Sequence, residues 1–394
     1  MINLEAALEK IKEASKPFAT ELTPLNEAMG RILAQNITAD RDYPPFNRAA
    51  MDGIAIRYSD WVKGIRKFPI QACILAGDSP HHPLQDGYCF KIMTGAACPT
   101  EIDTVIRQED LQFNGQIAVI AAKHVSLGSN IAKQGEDLQE GTEIIIAPKL
   151  CDTTTISLLA TFGVQQVCLF KRPSIAILTT GSELVQLGKK VTPYQIRDSN
   201  NYLLQSLLHK WNPTINYNAL VPDDPALLRQ HIQQGLQEDL LIINGGVSTG
   251  DADFIPDILR ECAVEIIFHK VAIKPGKPVL FGKANNGCIV FGLPGNPLSC
   301  LVSFSIFVET YLYWSAGKMK RPFQRDILQT SRHKKNNIPD FFPVYKHHTD
   351  YGIYKQQYHG SGDITAAFNC IGIAQHPADS PVLNAGDCIT YFPF

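Results

Sequence analysis

The chain has 394 residues, of which 45% are hydrophobic and 19% charged, and its 36 lysines and arginines nearly balance 38 aspartates and glutamates. A chain of this length exceeds one hydrophobic core, so roughly two to four globular domains are expected. The net charge of −2 leaves no broad basic surface, which argues against nucleic-acid and membrane-surface partners but not against a small anionic substrate.

The first half of the chain predicts one helix followed by irregular β-rich domains. Apolar residues recur at helical spacing over residues 3–15, which indicates an amphipathic helix. From about residue 20 to 165, short apolar runs alternate with Gly and Pro, a pattern typical of strands and turns. Strands are predicted at 68–75, 89–93, 104–108, 116–121 and 143–146, and a helix at 152–162.

The second half predicts a different architecture, because apolar strands alternate with helices from about residue 170 to 318. This alternation favours a doubly wound, mostly parallel sheet. Strands are expected at 174–180, 215–220, 240–244, 264–268 and 288–293, and helices at 200–210, 226–235, 253–262 and 297–313. After residue 322, strand patterns at 342–347 and 353–358 predict a small terminal β domain. The predicted fold class is therefore α/β plus β, in a multi-domain chain.

Three Gly-rich loops follow strands of the predicted sheet, at residues 179–184, 244–253 and 293–299. Ligands of open α/β sheets bind beyond the carboxyl ends of the strands. Glycine lets backbone N–H groups approach an anion, and a helix N-terminus adds positive charge. Each loop alone is more often only a tight turn, but three together predict a cradle for a phosphate-bearing ligand. The cradle residues are Thr180, Gly181, Ser182, Gly245, Gly246, Pro294 and Asn296.

Between the last two of these loops lies a lysine-rich segment, residues 269–278, with Lys270, Lys274 and Lys277 set among Pro and Gly. Ammonium groups suit compact tetrahedral oxyanions such as phosphate or molybdate. The alternative is a solvated basic loop with no ligand. The neighbouring Gly-rich loops favour the anion-binding interpretation.

Carboxylates at the ends of neighbouring elements suggest a divalent cation. Glu183, Asp223 and Asp253 supply oxygen ligands of the kind that Mg²⁺ takes together with substrate phosphates. The alternative for each is helix capping or solvation, an alternative that is strongest for Asp223. We predict these three residues as candidate metal ligands.

The sequence contains no targeting or membrane segment that we recognise. Residues 1–10 lack the apolar stretch of a signal peptide, and nowhere do about 18 apolar residues run together. The ten cysteines are scattered, with no two within four positions, which fits neither a zinc site nor a disulfide framework. We expect a cytoplasmic protein with reduced thiols.

Seven motifs, taken together and in this order, resemble the molybdopterin molybdenumtransferases. They are RAAMDGIA at 48–55, IMTGA at 92–96, GED at 135–137, TGSEL at 180–184, GGVS at 245–248, KPGKP at 274–278 and PGNP at 294–297. The resemblance covers the whole chain and becomes thin after Pro322. It implies an enzyme that binds adenylyl-molybdopterin and molybdate, cleaves the adenylate in a Mg²⁺-dependent step, and releases molybdenum cofactor and AMP.

The resemblance also implies four domains in an elongated homodimer. The first is a discontinuous linking domain, residues 1–40 and 133–168, whose first helix lies either with it or against the α/β domain. A β-rich domain, 41–132, is inserted in it. The α/β molybdopterin-binding domain, 169–321, and a C-terminal β domain, 322–394, follow. Implied protein partners are a second copy of the chain, the adenylyltransferase of the same pathway, and molybdoenzyme acceptors.

Roles for individual residues follow from the same resemblance. It places Lys274, Lys277, Pro278, Ser299 and Ser361 in the molybdate pocket. It places Ser248, Asp253, Glu183 and Asp223 on the nucleotide, phosphate and metal side. Asp52, Thr94 and Asp137 would come from the partner subunit. We expect Asp253, Glu183, Asp223, Lys270 and Lys274 to be the catalytic residues.

Two positions depart from the family pattern, since Ala132 and Pro343 stand where the family typically has arginine. Arginine offers a permanent charge and a bidentate fork that neither replacement can supply. Lys133 and Arg332 are the nearby candidates to compensate. A weakly catalytic or non-catalytic relative that binds pterin or scaffolds partners is therefore the main alternative function. A nucleotide amidohydrolase, which shares the α/β domain, is disfavoured because such chains lack the MDG and KPGKP motifs.

Overall fold

The structure is a computed structural model that describes residues 1–79, 83–248, 254–317, 321–347 and 351–394. Residue contacts divide it into two compact units. Unit 1 contains Met1–Ala34, Ala147–Thr153 and Gln166–Phe394, and unit 2 contains Gln35–Ile146 and Thr154–Gln165. No helix in the described ranges is long and apolar enough to cross a membrane. The four domain boundaries given above stay a prediction.

Helices form where apolar residues recur at helical spacing, and two of them also begin at a residue whose side chain caps the first turn. In chain order they are α1 (Leu4–Ala14), α2 (Tyr58–Val62), α3 (Thr153–Thr161), α4 (Asn200–Leu208), α5 (Pro225–Gly235), α6 (Ile255–Glu261), α7 (Pro297–Ser303) and α8 (Glu309–Ser315). The Asn3 side chain caps α1 by accepting a hydrogen bond from the Ala6 N–H at 2.7 Å. A π-helical segment, Phe304–Val308, joins α7 to α8, so the single helix predicted at 297–313 is interrupted by one wider turn.

The strands are short and fall into three stretches of the chain. The first stretch contains β1 (Thr20–Pro24), β2 (Ile32–Leu33), β3 (Ile37–Thr38), β4 (Arg48–Ala49), β5 (Gly53–Ile56), β6 (Lys67–Ile74), β7 (Cys89–Ile92), β8 (Thr104–Arg107), β9 (Leu111–Asn114), β10 (Ile117–Ile120), β11 (Ile131–Ala132), β12 (Glu143–Ile145), β13 (Lys149–Leu150) and β14 (Gln166–Phe170). The second contains β15 (Ser174–Thr180), β16 (Leu184–Val185), β17 (Ile196–Arg197), β18 (Thr214–Val221), β19 (Leu240–Asn244), β20 (Val264–His269), β21 (Leu280–Ala284) and β22 (Ile289–Leu293). The third contains β23 (Gln324–Ile327), β24 (Arg332–His333), β25 (Asp340–Tyr345), β26 (Tyr354–Lys355), β27 (Gly372–His376), β28 (Val382–Leu383) and β29 (Cys388–Pro393).

The largest sheet of unit 1 has six strands in the order β18-β15-β19-β22-β21-β20. The first four strands pair in parallel. β21 then pairs antiparallel with β22, and β20 pairs antiparallel with β21. The prediction of a mostly parallel α/β sheet is confirmed, with an antiparallel edge that the sequence reasoning missed. That edge arises because β20 returns through residues 270–279 directly into β21 as a wide hairpin. These residues, the lysine loop, include all three predicted lysines.

Alternating side chains of the central strands fill two cores, one on each face of this sheet. Ile175 and Ile177 of β15 belong to the core that also contains residues of α1, α4, α7 and α8. Ala176 and Leu178 face the other core, with residues of α5 and α6. Burial on both faces explains why β15 and β19 are continuous apolar runs rather than alternating ones.

Unit 1 also contains two smaller sheets and two short strand pairs, one of which is β16-β17. A four-stranded sheet, β1-β14-β2-β13, combines early and middle segments of the chain. A five-stranded sheet, β23-β29-β27-β25-β26, and the pair β24-β28 form the C-terminal β region. The predicted terminal β domain is confirmed as a β structure, and the strand predicted at 342–347 spans Asp340–Tyr345.

Unit 2 is built mainly from strands. Its six-stranded sheet has the order β8-β5-β7-β6-β10-β9, and the short pairs β11-β4 and β12-β3 accompany it. Apolar side chains such as Ile54, Phe68 and Phe90 are buried in its cores. The β-rich character predicted for this part of the chain is confirmed.

Candidate functional site

The carboxyl ends of three parallel strands meet at one edge of the sheet in unit 1. In register, Thr179 of β15 lies opposite Asn244 of β19, and Asn244 lies opposite Leu293 of β22. The Gly245 N–H donates to the Leu293 carbonyl at 3.0 Å. The Gly-rich loops that follow these strands are therefore neighbours, as the sequence led us to expect.

Gly245 permits the close approach of two of these loops. Its backbone has φ +95°, and a Cβ added there would lie 2.5 Å from the Thr180 carbonyl oxygen. Gly246, with φ +64°, is similarly close to Ile255 and to the Thr180 hydroxyl. Any larger residue would push the loops apart. The Thr180 hydroxyl is buried beside these glycines and has no hydrogen-bond partner among the described residues.

Two buried asparagines tie three segments together beneath the loops. The Asn200 amide donates to Asn244 Oδ1 at 2.9 Å and to the Gly295 carbonyl at 2.6 Å. The Asn244 amide donates to the Pro294 carbonyl at 2.8 Å. Sequence reasoning missed both residues. The available signal was a polar residue ending the otherwise apolar strand LLIIN.

Asp198, two residues before Asn200, was also missed. It is buried, and its carboxylate accepts a hydrogen bond from the Asn201 N–H at 3.1 Å. Burial raises the pKa of this carboxyl above its usual range, an effect that hydrogen bonds from Asn201 partly oppose. The residues just before α4 thus add a buried acid to the same edge of the sheet.

The first Gly-rich loop brings two predicted carboxylates together. The Ser182 N–H donates to Asp223 Oδ2 at 3.0 Å, and the Asp223 N–H donates to Ser182 Oγ at 3.1 Å. The Glu183 carboxylate folds over Gly181, because a Cβ built there would lie 2.8 Å from Glu183 Oε2. Glu183 and Asp223 are both exposed or half-buried beside this loop.

These two carboxylates form only part of a possible Mg²⁺ site. Within the described ranges, no group of three or more His, Cys, Asp or Glu side chains is arranged to hold a metal ion. Asp253, the third predicted ligand, lies outside those ranges. Glu183 and Asp223, from the neighbouring loops after β15 and β18, nevertheless fit a cation that takes one or two carboxylates and completes its shell with phosphate and water.

The lysine loop is fastened on three sides. The Val271 N–H donates to the Lys277 carbonyl at 3.0 Å, the Phe341 N–H donates to the Lys274 carbonyl at 2.6 Å, and the Ile2 N–H donates to the Lys270 carbonyl at 3.1 Å. His269, just before it, hydrogen-bonds through Nε2 to the Val247 carbonyl at 2.7 Å. The loop is thereby joined to the Gly245–Ser248 region, to β25 and to the first residues of the chain.

The three lysines of this loop have no carboxylate partner among the described residues. Lys274 and Lys277 are exposed and Lys270 is half-buried, and none of them forms an ion pair with a carboxylate in the described part of the chain. Gly276 lies between the two exposed lysines and against α7, where a Cβ would meet Ser303 Oγ at 2.6 Å. Pro278 is half-buried beside them.

The loop after β22 reaches the C-terminal β region. The Asn296 amide donates to Ser361 Oγ at 3.0 Å, and the Leu298 N–H donates to the Ser361 carbonyl at 3.2 Å. Ser299 is buried in the first turn of α7, within contact distance of the space that a Gly276 side chain would occupy. Contacts therefore connect the Gly-rich loops, Asn296, Ser299, Ser361 and the lysine loop, all within unit 1. Ser248 is exposed at the end of the described Gly245–Ser248 stretch.

The remaining predicted residues lie in unit 2. The Thr94 N–H and hydroxyl both donate to Asp52 Oδ1 at 2.7 Å, and these bonds hold the pKa of Asp52 below its usual range. Asp137 is exposed, and its N–H donates to the Tyr43 carbonyl at 3.0 Å. The structure thus pairs Asp52 with Thr94, and within the described residues no hydrogen bond joins Asp137 to them.

The two departures from the family pattern occupy buried strand positions. Ala132 pairs with Arg48, and Pro343 pairs with Ile373 inside the C-terminal sheet. Arg332, a candidate to compensate, forms an ion pair with Asp340 at 3.0 Å and a hydrogen bond with His376 Nδ1 at 2.9 Å. Its guanidinium is largely committed to those partners.

Comparison with known proteins covers nearly the whole chain. Residues 2–163 match the MoeA N-terminal region (domain I and II), and residues 176–314 match a probable molybdopterin binding domain. The chain is 31% identical to molybdopterin molybdenumtransferases of Synechocystis sp. and Haemophilus influenzae, over 100% of this chain and 99% of each relative. It also resembles the crystal structure of a molybdopterin biosynthesis MoeA protein from Pyrococcus horikoshii OT3, with TM-score 0.86, 25% identity and full coverage of both chains. The sequence motifs, the fold and these likenesses agree, and the chain belongs to the molybdopterin molybdenumtransferase family of molybdenum cofactor biosynthesis enzymes.

Proposed function

We propose that this chain binds adenylyl-molybdopterin and molybdate, cleaves the adenylate in a Mg²⁺-dependent step, and releases molybdenum cofactor and AMP. The observation that carries the proposal is the joining of three Gly-rich loops to a lysine loop whose lysines have no carboxylate partner among the described residues. Unpaired ammonium groups beside backbone N–H groups make a site for anions. Both proposed substrates are anionic.

The residues divide the work by their chemistry. Lys274 and Lys277, with Ser299 and Ser361 near them, would hold the molybdate oxygens. The backbone of the Gly-rich loops would hold the phosphates of the adenylyl-molybdopterin, and release of AMP requires that water add to phosphorus as one P–O bond breaks. Mg²⁺, when bound, would neutralise charge on those phosphates, with Glu183 and Asp223 as its protein ligands.

Asp253, Asp52, Thr94 and Asp137 have proposed roles that rest on the family resemblance. Asp253 would act at the phosphate as metal ligand or as the group that activates water. Asp52, Thr94 and Asp137 would reach the cleft from the second subunit of a homodimer. The adenylyltransferase that makes the substrate, and the molybdoenzymes that receive the product, are the proposed protein partners.

The competing function is a weakly catalytic or non-catalytic relative. Pro343 favours it, because the family arginine at that position would add a fixed positive charge near molybdate. Arg332 already contacts Asp340 and His376. It would have to leave these partners to replace the family arginine at position 343.

Reconstitution separates the two functions. Purified chain is incubated with adenylyl-molybdopterin, Mg²⁺ and molybdate, and both AMP release and activation of an apo-molybdoenzyme are measured. Lys277→Ala should abolish molybdate-dependent activation while nucleotide binding stays near normal. Lys189→Ala, at an exposed lysine outside the lysine loop, is the matched control and should retain both. Lack of molybdate-dependent product at every molybdate concentration would instead support the non-catalytic relative.

A further inference from the structure

A cavity of about 200 Å³ lies in unit 1, away from the Gly-rich and lysine loops. Arg172 and Pro173, on its wall, immediately precede β15, whereas the Gly-rich loop follows the same strand. Lys210 and Trp211 lie after the C-terminal end of α4. A seven-residue strand spans roughly 20 Å, so the cavity lies at the opposite edge of the sheet from the candidate site.

The cavity walls are mainly apolar and aromatic. They include Phe18, Ile32, Leu150, Phe170, Trp211 and Tyr313. Trp211 and Tyr313 meet edge to face, with ring centroids 4.6 Å apart. The cavity is partly open to solvent, and a volume of about 150 Å³ is enough for benzene. The volume therefore suits one substituted ring and is too small for an adenylated pterin.

Two residues that line the cavity, Trp211 and Arg31, each have a buried hydrogen-bond donor without an acceptor among the described residues. The indole N–H of Trp211 is buried, and no acceptor for it exists among the described residues. Arg31 is 8% exposed and is fixed by bonds from its Nη1 to Thr23 and from its Nη2 to the Phe170 carbonyl, yet its Nε has no partner in the same set of residues. Buried donors are normally satisfied, and neither of these atoms is open to the cavity, so a ligand acceptor would bond to them once a neighbouring side chain moves.

The charge around the cavity is positive. Arg31 is paired with Glu21, and Lys210 with Glu309. Lys171 and Arg172 are exposed, and neither has a carboxylate partner in the described ranges. The two uncompensated cations favour a ligand with negative charge.

We propose that this cavity is a binding site for a small aromatic carboxylate, with the ring between Trp211, Tyr313 and Phe170 and the carboxylate toward the unpaired donors and cations. Apolar walls with a few polar groups are the usual form of a small-molecule site. The site is separate from the proposed molybdate and adenylate chemistry, so it stands or falls independently of that function.

Benzoate is the probe, and the full chain is the protein. The chain has three tryptophans, so its amide spectrum contains three indole N–H signals, and Trp211→Phe identifies the one of interest. That signal should shift saturably as benzoate is added. Benzamide lacks the charge and acetate lacks the ring. Each should bind at least about tenfold more weakly than benzoate.

Variants locate the site. Trp211→Phe keeps an aromatic wall but removes the donor, and should weaken benzoate binding by about tenfold. Trp314→Phe, at a tryptophan that does not line the cavity, is the matched control and should bind as the unmodified chain does. The exposed double variant Lys171→Gln, Arg172→Gln should also lose about tenfold, whereas Lys189→Gln should not.

Three results would overturn the proposal. The first is a Trp211 signal that does not move at millimolar benzoate. The second is equal benzoate affinity in the Trp211→Phe and Trp314→Phe chains. The third is acetate or benzamide binding as tightly as benzoate, which would mean that ring and charge are not recognised together.

Discussion

Replacing Gly276 with alanine tests whether the shape of the lysine loop controls oxyanion use. Gly276 has φ +96°, and an added Cβ would lie 2.6 Å from Ser303 Oγ. An alanine held in left-handed backbone costs about 1–2 kcal/mol, and overpacking costs a further 1–3 kcal/mol or so. Reaching an ordinary 3.4 Å contact requires about 0.8 Å of movement by the loop or by Ser303. We expect Gly276→Ala to lower the free energy of unfolding by roughly 2–5 kcal/mol.

Two further variants separate backbone strain from the clash. Gly287 has φ +97° and no atom within 4 Å of an added Cβ, so Gly287→Ala measures strain alone, about 1–2 kcal/mol. In the double variant Gly276→Ala with Ser303→Ala, the atom nearest to the added Cβ at position 276 is the Ser299 carbonyl oxygen, at 3.4 Å. Ser303 Oγ has no hydrogen-bond partner among the described residues, so its loss costs little by itself. The double variant should therefore return to the stability loss of Gly287→Ala.

The assay pairs urea unfolding with molybdate dependence of cofactor formation. A shift approaching 1 Å at a reacting group can cost about 100-fold. Because Gly276 lies between Lys274 and Lys277, Gly276→Ala should need on the order of tenfold or more molybdate, with adenylyl-molybdopterin binding nearly unchanged. Identical stability and molybdate dependence in Gly276→Ala and Gly287→Ala would refute the reasoning. So would failure of Ser303→Ala to rescue either property.

Three other predictions concern the remaining parts of the chain. If each cleft uses both subunits, mixing inactive Asp52→Ala and Asp253→Ala chains should restore activity, and a monomer in light scattering would contradict this. Pro343→Arg should lower the molybdate needed for half-maximal cofactor formation by on the order of tenfold, since a charge-assisted hydrogen bond contributes about 1.5–3 kcal/mol; an unchanged requirement would mean that another group already fills the role. Burial, and after it the charge of Arg332, lowers the pKa of His376 below 6.5 in the folded chain. As the pH falls, His376 is therefore protonated in the unfolded chain before it is protonated in the folded chain. The contribution of His376 to the free energy of unfolding should be complete above about pH 6.5 and should decrease as the pH falls through that value. Urea unfolding midpoints of His376→Gln should lack this part of the pH dependence.

The sequence predicted the edge of the sheet but not the contacts that organise it. Thr180, Asn244 and Leu293 end apolar runs, so their Gly-rich loops could be placed together from periodicity and the behaviour of parallel strands. The bond from Asn200 to Gly295 joins residues 95 positions apart, and no local pattern encodes such a pairing. β21 was missed because LFGKA is short and contains a glycine, which weakens a strand signal.

The chemical class of the ligand was easier to predict from the sequence than the residues that each loop contacts. Lysines among Pro and Gly indicated an anion site, because ammonium charge and loop rigidity are properties of the residues themselves. The attachment of that loop to Phe341 depends on a strand some 65 residues later and required the fold. The roles of Asp52 and Asp253 stay predictions, since one lies in unit 2 and the other lies outside the described residues.

The position of α1 has a consequence for biogenesis. Leu4, Ala7 and Ile11 are buried with Phe304 and Val308, residues synthesised about 300 positions later. At translation rates of about 5–20 residues per second, the apolar face of α1 waits roughly 15–60 s for its partners. During that time it is available to chaperones or to other nascent chains. Since Ile2 also pairs with Val271, the lysine loop reaches its final position only when the earliest and later parts of the chain have met.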